Sequence, residues 1–238
     1  MNLALIGYGK MGKAIEEIAL QRGHTIVLKI DIENVTDFTK ENLGAADVAI
    51  EFTGPHSAYE NLKKLMLSGI NTVCGSTGWL EKLAEINQLC QQNNTAFIYT
   101  SNYSVGVNIF FEVNKRLAAL MAAHTDYEIQ LTEIHHTQKK DAPSGTAISL
   151  AQQILENVSR KKTWVNHISD NTEELEILSE RMDPAPGTHK IKYSSAVDDI
   201  EITHTAHTRT GFALGAVLAA EFIAGKKGIF EMKDVLGL

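Results

Sequence analysis

The chain has 238 residues, 44% of them hydrophobic, and its 22 Lys and Arg against 29 Asp and Glu leave a net charge of -7 at pH 7. That length suits one large domain or two small ones, and that apolar share supports a real core, so a disordered chain is excluded. The acidic balance excludes a broad nucleic-acid-binding surface, which needs an excess of Lys and Arg to meet phosphates.

Asn2 to Ile6 reads as a short buried strand, followed by Gly7-Tyr8-Gly9-Lys10-Met11-Gly12 and then by a helix face of Met11, Ala14, Ile15, Ile18 and Ala19 that ends at Gly23. A bare GxGxxG means little, but this one closes a first strand and opens a helix. In that setting the first glycine makes the tight turn, the second admits a pyrophosphate to the backbone, and the third lets helix and strand pack closely. Thr25 to Ile30 is a second strand ending at Asp31, near the offset of about 20 residues at which an acid hydrogen-bonds a ribose 2′-hydroxyl. That favours NADH. Lys10 and Lys29 could instead meet a 2′-phosphate, so NADPH stays open. Gly7, Lys10, Lys13, Glu16 and Glu17 interrupt the apolar residues, so residues 1 to 30 do not read as a signal peptide.

Asp47 to Phe52 is a third strand broken at Thr53-Gly54-Pro55, and Ser57 with Glu60 predicts a capping box for a helix carrying Leu62, Leu65 and Met66. Asn71 to Cys74 is a strand running into Gly75-Ser76-Thr77, then comes a helix with Leu83, Ile86 and Leu89, and a strand from Ala96 to Tyr99 leads to Thr100-Ser101-Asn102-Tyr103. Strands alternating with helices over short links predict a parallel, doubly wound α/β sheet of Rossmann type. Phe52-Thr53, Gly75-Ser76-Thr77 and Thr100 to Tyr103 all fall at strand C-terminal ends, where a dinucleotide lies in such folds. Cys74 and Cys90 are the only cysteines and belong to no metal-ligand pattern; they are expected as buried apolar residues in a reducing cytosol.

After Ser104 the pattern changes. A helix with Phe110, Phe111, Leu117, Leu120 and Met121 precedes an alternating strand in which Tyr127, Ile129 and Leu131 oppose Glu128, Gln130 and Thr132, so that His135 and His136 should leave on opposite faces. The following loop holds Lys139, Lys140 and Asp141, and Pro143-Ser144-Gly145-Thr146 opens a helix of Ala147, Leu150, Ala151, Ile154 and Leu155, with Ser144 or Thr146 as the cap. A helix N-terminus with Gly145 in it suits a carboxylate or phosphate, and Lys139 would add a full charge. Ser159 to Glu180 reads as a polar stretch, and His189 to Tyr193 and Ile200 to Ala206 as two strands paired antiparallel. Phe212 to Ala224 is apolar on nearly every side, so it is expected to be buried; it is far short of the ~20 residues that span a bilayer.

The string from Glu133 to Thr146, EIHHTQKKDAPSGT, closely resembles the signature of the dihydrodipicolinate reductases (4-hydroxy-tetrahydrodipicolinate reductases) of lysine and diaminopimelate synthesis, matching E-x-H-H-x-x-K-x-D-x-P-S-G-T at every fixed position. The resemblance continues through the three strand-end loops, with Ser76 where a threonine is usual and Tyr103 where a phenylalanine is usual, and through Arg181, Gly187, His189 and His204-Thr205-Ala206, for which structural or rim roles are expected. His207 and Arg209 carry no assigned role. The glycine loop is one residue shorter than the commoner form, and Ile32 stands where dual-specificity members often carry a basic residue.

That resemblance implies a split nucleotide domain, residues 1–104 plus 208–238, and an inserted α+β mixed-sheet domain, residues 105–207, for substrate binding and oligomerisation. It implies NADH and/or NADPH as cofactor, a cyclic imine dicarboxylate as substrate, and a cytoplasmic homotetramer. It carries proton donor or acceptor onto His135, proton donor onto Lys139, and substrate carboxylate contacts onto His136, Ser144, Gly145 and Thr146, with Asp141 orienting the loop. The nucleotide loops Gly7 to Gly12, Asp31, Phe52-Thr53, Gly75 to Thr77 and Thr100 to Tyr103 become the cofactor contacts. Two other classes compete. A nucleotide sensor would have no need of a His-His-Lys cluster, and a semialdehyde dehydrogenase needs a nucleophilic thiol that neither Cys74 in a strand nor Cys90 on a helix is placed to supply.

Overall fold

The computed structural model describes residues 1–208 and 210–238, so Arg209 lies outside the described residues. The chain divides into two compact units, residues 1–108 with 210–238, and residues 109–209.

The first unit begins with β1 (Asn2–Ile6), α1 (Lys10–Gln21), β2 (Thr25–Ile30), α2 (Lys40–Leu43), β3 (Val48–Glu51), α3 (Ala58–Leu67), β4 (Asn71–Cys74), α4 (Leu83–Gln92) and β5 (Ala96–Tyr99). Apart from the edge strand β2, these strands are short apolar runs buried on both faces, as the core of a parallel sheet requires: Leu3, Ala4, Val48, Ala49, Val73, Phe97 and Ile98 are inaccessible to solvent. The expected capping box on α3 does not form. Ser57 takes a helical conformation and its hydroxyl donates to Thr53 Oγ1 at 3.0 Å, so the preceding loop claims the group that the helix end would have used.

The second unit takes in most of α5 (Val105–Met121), then β6 (Glu128–His135), α6 (Gly145–Asn157), β7 (Thr163–Val165), β8 (Glu174–Arg181), β9 (Gly187–Ser194) and β10 (Asp199–Ala206). Its sheet runs β10-β9-β6-β8-β7, with β6–β9 and β9–β10 antiparallel and β6–β8 and β7–β8 parallel. The stretch read from sequence only as polar, Ser159 to Glu180, holds both β7 and most of β8. Leu175 and Ile177 alternate with Glu174 and Glu176, a half-buried strand whose polar face masks it in a charge-rich segment. The inner face packs Ile129, Leu131, Ile191 and Tyr193 against Ala147, Leu150 and Ile154 of α6 and Ala118 of α5. The same parity that buries Ile129 and Leu131 on β6 also buries Glu133 and His135.

Returning to the first unit, α7 (Thr210–Ile223), β11 (Gly228–Phe230) and α8 (Met232–Leu236) complete it. Its sheet has the order β11-β5-β4-β3-β1-β2, every pair parallel. The chain starts in the middle, goes outward to β2, and returns past β1 to β3, so the order reverses between β1 and β3. That reversal opens a crevice at the strand C-terminal ends. Helix α7 buries Ala213, Gly215, Ala216, Val217, Ala219, Ala220 and Ile223, in keeping with its all-round apolar character. No helix among the described residues is long and apolar enough to cross a membrane.

Candidate active site

In the first unit the glycine loop sits over the β1–β3 reversal. Gly7 has φ +95°, and a Cβ there would stand 2.2 Å from the Phe52 carbonyl oxygen; at Gly12 it would stand 2.3 Å from the Gly7 oxygen. Both positions therefore demand glycine. At Gly9 an added Cβ would meet nothing within 4 Å, leaving the backbone open to a phosphate at the start of α1. A cavity of about 390 Å³ borders this loop, lined by Gly7, Tyr8, Gly9, Asp31, Phe52 and Thr53 among others. Its size and the glycine cradle fit the adenosine half of a dinucleotide.

The other predicted loops divide by what their side chains do. Lys10 and Thr77 are exposed and Met11 half-buried. Ser76 is buried, its hydroxyl accepting from the Thr53 N–H at 2.8 Å and its carbonyl from Trp79 Nε1 at 2.7 Å. Tyr103 is wholly buried, its hydroxyl donating to the Cys74 carbonyl at 2.8 Å, so the ring braces β4 and β5. Gly75, Thr100, Ser101 and Asn102 lie at or near the surface; Asn102 Oδ1 accepts from the Ser104 N–H at 2.9 Å and fixes the turn into α5. From Ser76 and Tyr103 a cofactor could draw only on backbone. A residue not singled out from sequence ties these loops together: Glu51, fully buried, accepts from the Thr53 hydroxyl, and Cys74 Sγ lies 3.2 Å from its other oxygen.

The second unit gathers the His-His-Lys cluster. Glu133 is fully buried at its centre: both carboxylate oxygens accept from the Ser144 N–H at 3.1 Å, one accepts from the Ser179 hydroxyl at 2.8 Å, and Arg181 Nη2 lies at 3.3 Å. His135 Nε2 stands 3.4 Å from Glu133 Oε2 and His189 Nε2 at 3.8 Å. Arg181 also reaches the Asp141 carbonyl at 2.6 Å and the Lys139 carbonyl at 3.4 Å, which clamps the loop that carries the lysine. Lys139 Nζ is 2.8 Å from each Asp141 oxygen. Ser144 caps α6, accepting from the Ala147 N–H at 3.2 Å, and its hydroxyl meets His189 Nε2 at 3.1 Å. Gly145 is exposed with open space where a Cβ would be. Thr146 follows in the first turn of α6, half-buried. His136, on the other side of the strand end, lines an open cavity of about 430 Å³ with Gln138, Asp183, Pro184, Pro186 and Thr208.

Burial opposes the charge on Glu133, but the hydrogen bonds from Ser144 and Ser179 outweigh it and hold the carboxyl below its ordinary range. Burial pushes His135 below its usual value against the pull of Glu133, and pushes His189 down to about 4. Both imidazoles are therefore neutral at pH 7. His135 bonds the Pro186 carbonyl, while its Nε2 has no hydrogen-bond partner. That nitrogen is a buried base with a carboxylate behind it, ready to stabilise an arriving proton. One carboxylate oxygen of Glu133 and the ring nitrogens of His135 and His189 all lie within 4.8 Å of one another, as three ligands of a small cation would. The Arg181 and Lys139 cations beside them oppose such an ion, and the carboxylate already serves three donors, so the cluster fits acid–base work better.

Two predictions arise here. A Cβ on Gly187 would lie 2.9 Å from His135 Cε1, so the glycine makes room for that ring. Gly187→Ala should displace it and lower kcat/KM by about tenfold, with a loss of stability as well because Gly187 has φ +159°; a variant with unchanged kinetics would show that the ring's place is immaterial. The second concerns acid. Between about pH 6.5 and 4 an unfolded His189 takes up a proton that the folded one refuses, so stability is full above that window and falls as pH drops through it, by about 3 kcal/mol when complete. Urea unfolding at pH 7 and 4 should show a smaller pH-dependent loss in His189→Gln than in the natural chain.

Glu133 and His189 face each other across the β6–β9 ladder. Parity along β6 was the signal that could have identified Glu133 as a buried organiser, and parity along β9, where His189 shares a face with Ile191 and Tyr193, was the signal for His189.

The chain matches two family models over nearly its whole length, "Dihydrodipicolinate reductase, N-terminus" at residues 1–103 and "Dihydrodipicolinate reductase, C-terminus" at residues 106–236. It is 50% identical to the 4-hydroxy-tetrahydrodipicolinate reductase of Christiangramia forsetii over 240 residues, covering 99% of this chain and 98% of the relative. It is 38% identical to the protein of the same name from Methanosarcina barkeri over 212 residues, 87% of this chain and 79% of that one. Among solved structures it resembles dipicolinate-bound dihydrodipicolinate reductase from Paenisporosarcina sp. TG-14, with a TM-score of 0.78 at 22% identity over 97% of each chain, a likeness that shows the fold.

Proposed function

The chain belongs to the dihydrodipicolinate reductase family, and from that membership together with the two sites we infer how it works. It is an oxidoreductase of the diaminopimelate and lysine route that uses NADH or NADPH to reduce 4-hydroxy-tetrahydrodipicolinate to tetrahydrodipicolinate, with loss of water. A reduced nicotinamide, when bound, supplies the hydride. The residues that would hold its dinucleotide are those of the Gly7 to Gly12 loop, Asp31, Phe52-Thr53, Gly75 to Thr77 and Thr100 to Tyr103, with Ser76 and Tyr103 contributing backbone.

The protein's own chemistry lies in the second unit. Reduction of a ring imine leaves a nitrogen or carbon that must gain a proton, and Lys139 is the donor we assign. Burial keeps His135 unprotonated until negative charge arrives, which leaves the lysine as the acid of the cluster. His135 exchanges a proton backed by Glu133. His136 and the Gly145-Thr146 start of α6 hold the ring carboxylates, where the helix end favours negative charge. Asp141 keeps Lys139 in place until a substrate carboxylate replaces it. Ser144 acts through the cap, since its buried hydroxyl is engaged by Ala147 and His189.

The observation that carries this reading is the buried Glu133 carboxylate that joins His135, His189, Ser144 and Arg181 around the Lys139 loop. We further place the enzyme in the cytoplasm, on its two free buried cysteines, and assign it a homotetramer built through residues 105–207, on family resemblance. The test is a coupled assay in which a synthase condenses pyruvate with aspartate semialdehyde and oxidation of each nicotinamide is followed. Oxidation dependent on the condensation product supports the reading; none with either cofactor overturns it.

A further inference from the structure

Resting on the nicotinamide reading above, the geometry points to Glu16 as a determinant of cofactor choice: by holding Lys29 and Tyr8 it leaves Asp31 without a cation beside the ribose and makes the enzyme select NADH over NADPH. Among the described residues that line the 390 Å³ cavity beside the glycine loop, Asp31 is the one charged side chain. It stands at the end of β2, where an acid accepts a ribose 2′-hydroxyl and repels a 2′-phosphate. The cation best placed to reverse that preference is Lys29, two residues earlier on the same strand.

Lys29 is not available. Its Nζ lies 3.3 Å from Glu16 Oε1 and 4.9 Å from the centroid of the Tyr8 ring, and the other Glu16 oxygen accepts from the Tyr8 hydroxyl. Glu16 thus neutralises the lysine with one oxygen and pins the cavity-lining tyrosine with the other. Asp31 is committed as well: its Oδ1 accepts from the Ile32 N–H at 2.8 Å, and its own N–H donates to Asn34 Oδ1 at 2.7 Å, which fixes the carboxylate at the cavity rim. The pair is half exposed, Lys29 at 47% and Glu16 at 20%, so the lysine can swing once its partner is neutral. Lys10 and Lys13 stand on α1, and Lys13 approaches the Tyr8 ring at 6.0 Å.

The experiment measures Kd for NADH and for NADPH by fluorescence titration, and kcat/KM for both, in the natural chain, Glu16→Gln, and Glu16→Gln with Lys29→Gln. The natural chain should bind NADH at least about tenfold more tightly than NADPH, the scale of one uncompensated like-charge contact near a surface. Glu16→Gln should narrow that Kd ratio at least about fivefold, with the gain strongest at low salt, and Lys29→Gln should restore it. A natural chain that binds NADPH as well as NADH, a ratio unmoved by Glu16→Gln, or a gain that survives Lys29→Gln would overturn the proposal. The functional reading fails separately, if both nucleotides bind and neither is oxidised in the coupled assay.

Discussion

Lys139→Met is expected to lower kcat by roughly two to four orders of magnitude, the contribution of a positioned proton donor, while NADH binding persists. Methionine keeps the apolar stem and removes the ammonium alone. The substitution has a second effect, because Asp141 lies 2.8 Å from Nζ with both oxygens and is held below the ordinary carboxylate range chiefly by that lysine. Without the lysine an uncompensated carboxylate faces an incoming dianion, so KM should rise as well. Lys139→Met with Asp141→Asn separates the two: KM should recover towards the natural value and kcat should not. Single-turnover reduction measured with excess enzyme reads the chemical step directly. A kcat within about tenfold of the natural chain would move the proton donor to another group, His135 being the nearest candidate.

The chemistry-bearing loop was legible because its information is local. Periodicity of two along β6, a serine cap at Ser144 and a helical face on α6 all lie within one contiguous stretch, and the side chains that follow from them fall where the pattern puts them. The glycine loop was legible for the same reason, since its steric demands at Gly7 and Gly12 come from adjacent backbone. What escaped was non-local. Glu133 reads as one more polar residue at the end of a strand until β9 brings His189 and β8 brings Ser179 and Arg181 to it. Arg181 and His189, taken from sequence as structural or rim residues, touch the same carboxylate. The Lys29–Glu16 pair depends on β2 lying beside α1, and the absence of a cap at Ser57 depends on Thr53 competing for one hydroxyl. Tyr103 shows the same limit from the other direction, because a ring in a cofactor loop turns inward to hold Cys74 and Ile98.

Glu133→Gln should be the most damaging change to the second unit that leaves every ligand-contacting side chain in place. The Ser144 N–H, the Ser179 hydroxyl and Arg181 all reach Oε1, so an amide with its oxygen there keeps these hydrogen bonds but loses the negative charge that Arg181 and the two imidazoles face. Replacing the charged acceptor of the half-buried Arg181 by a neutral one should cost about 2 kcal/mol of stability, read from urea unfolding at pH 7. Activity should fall further than stability explains, by about a hundredfold in kcat, since Arg181 then loses the charge that anchors it while still gripping the carbonyls of Lys139 and Asp141, and the proton donor drifts with the loop. A purely structural role would not move the histidines. Here the carboxylate raises the pKa of both His135 and His189 against burial, so its loss should shift their NMR titrations to lower pH still. Glu133→Asp, which keeps the charge on a shorter stem, should restore the titrations more fully than the turnover, because charge survives the shortening and the reach to Ser144 and Arg181 does not. Imidazole titrations unmoved in Glu133→Gln would show that the carboxylate serves only to tie β6 to the start of α6.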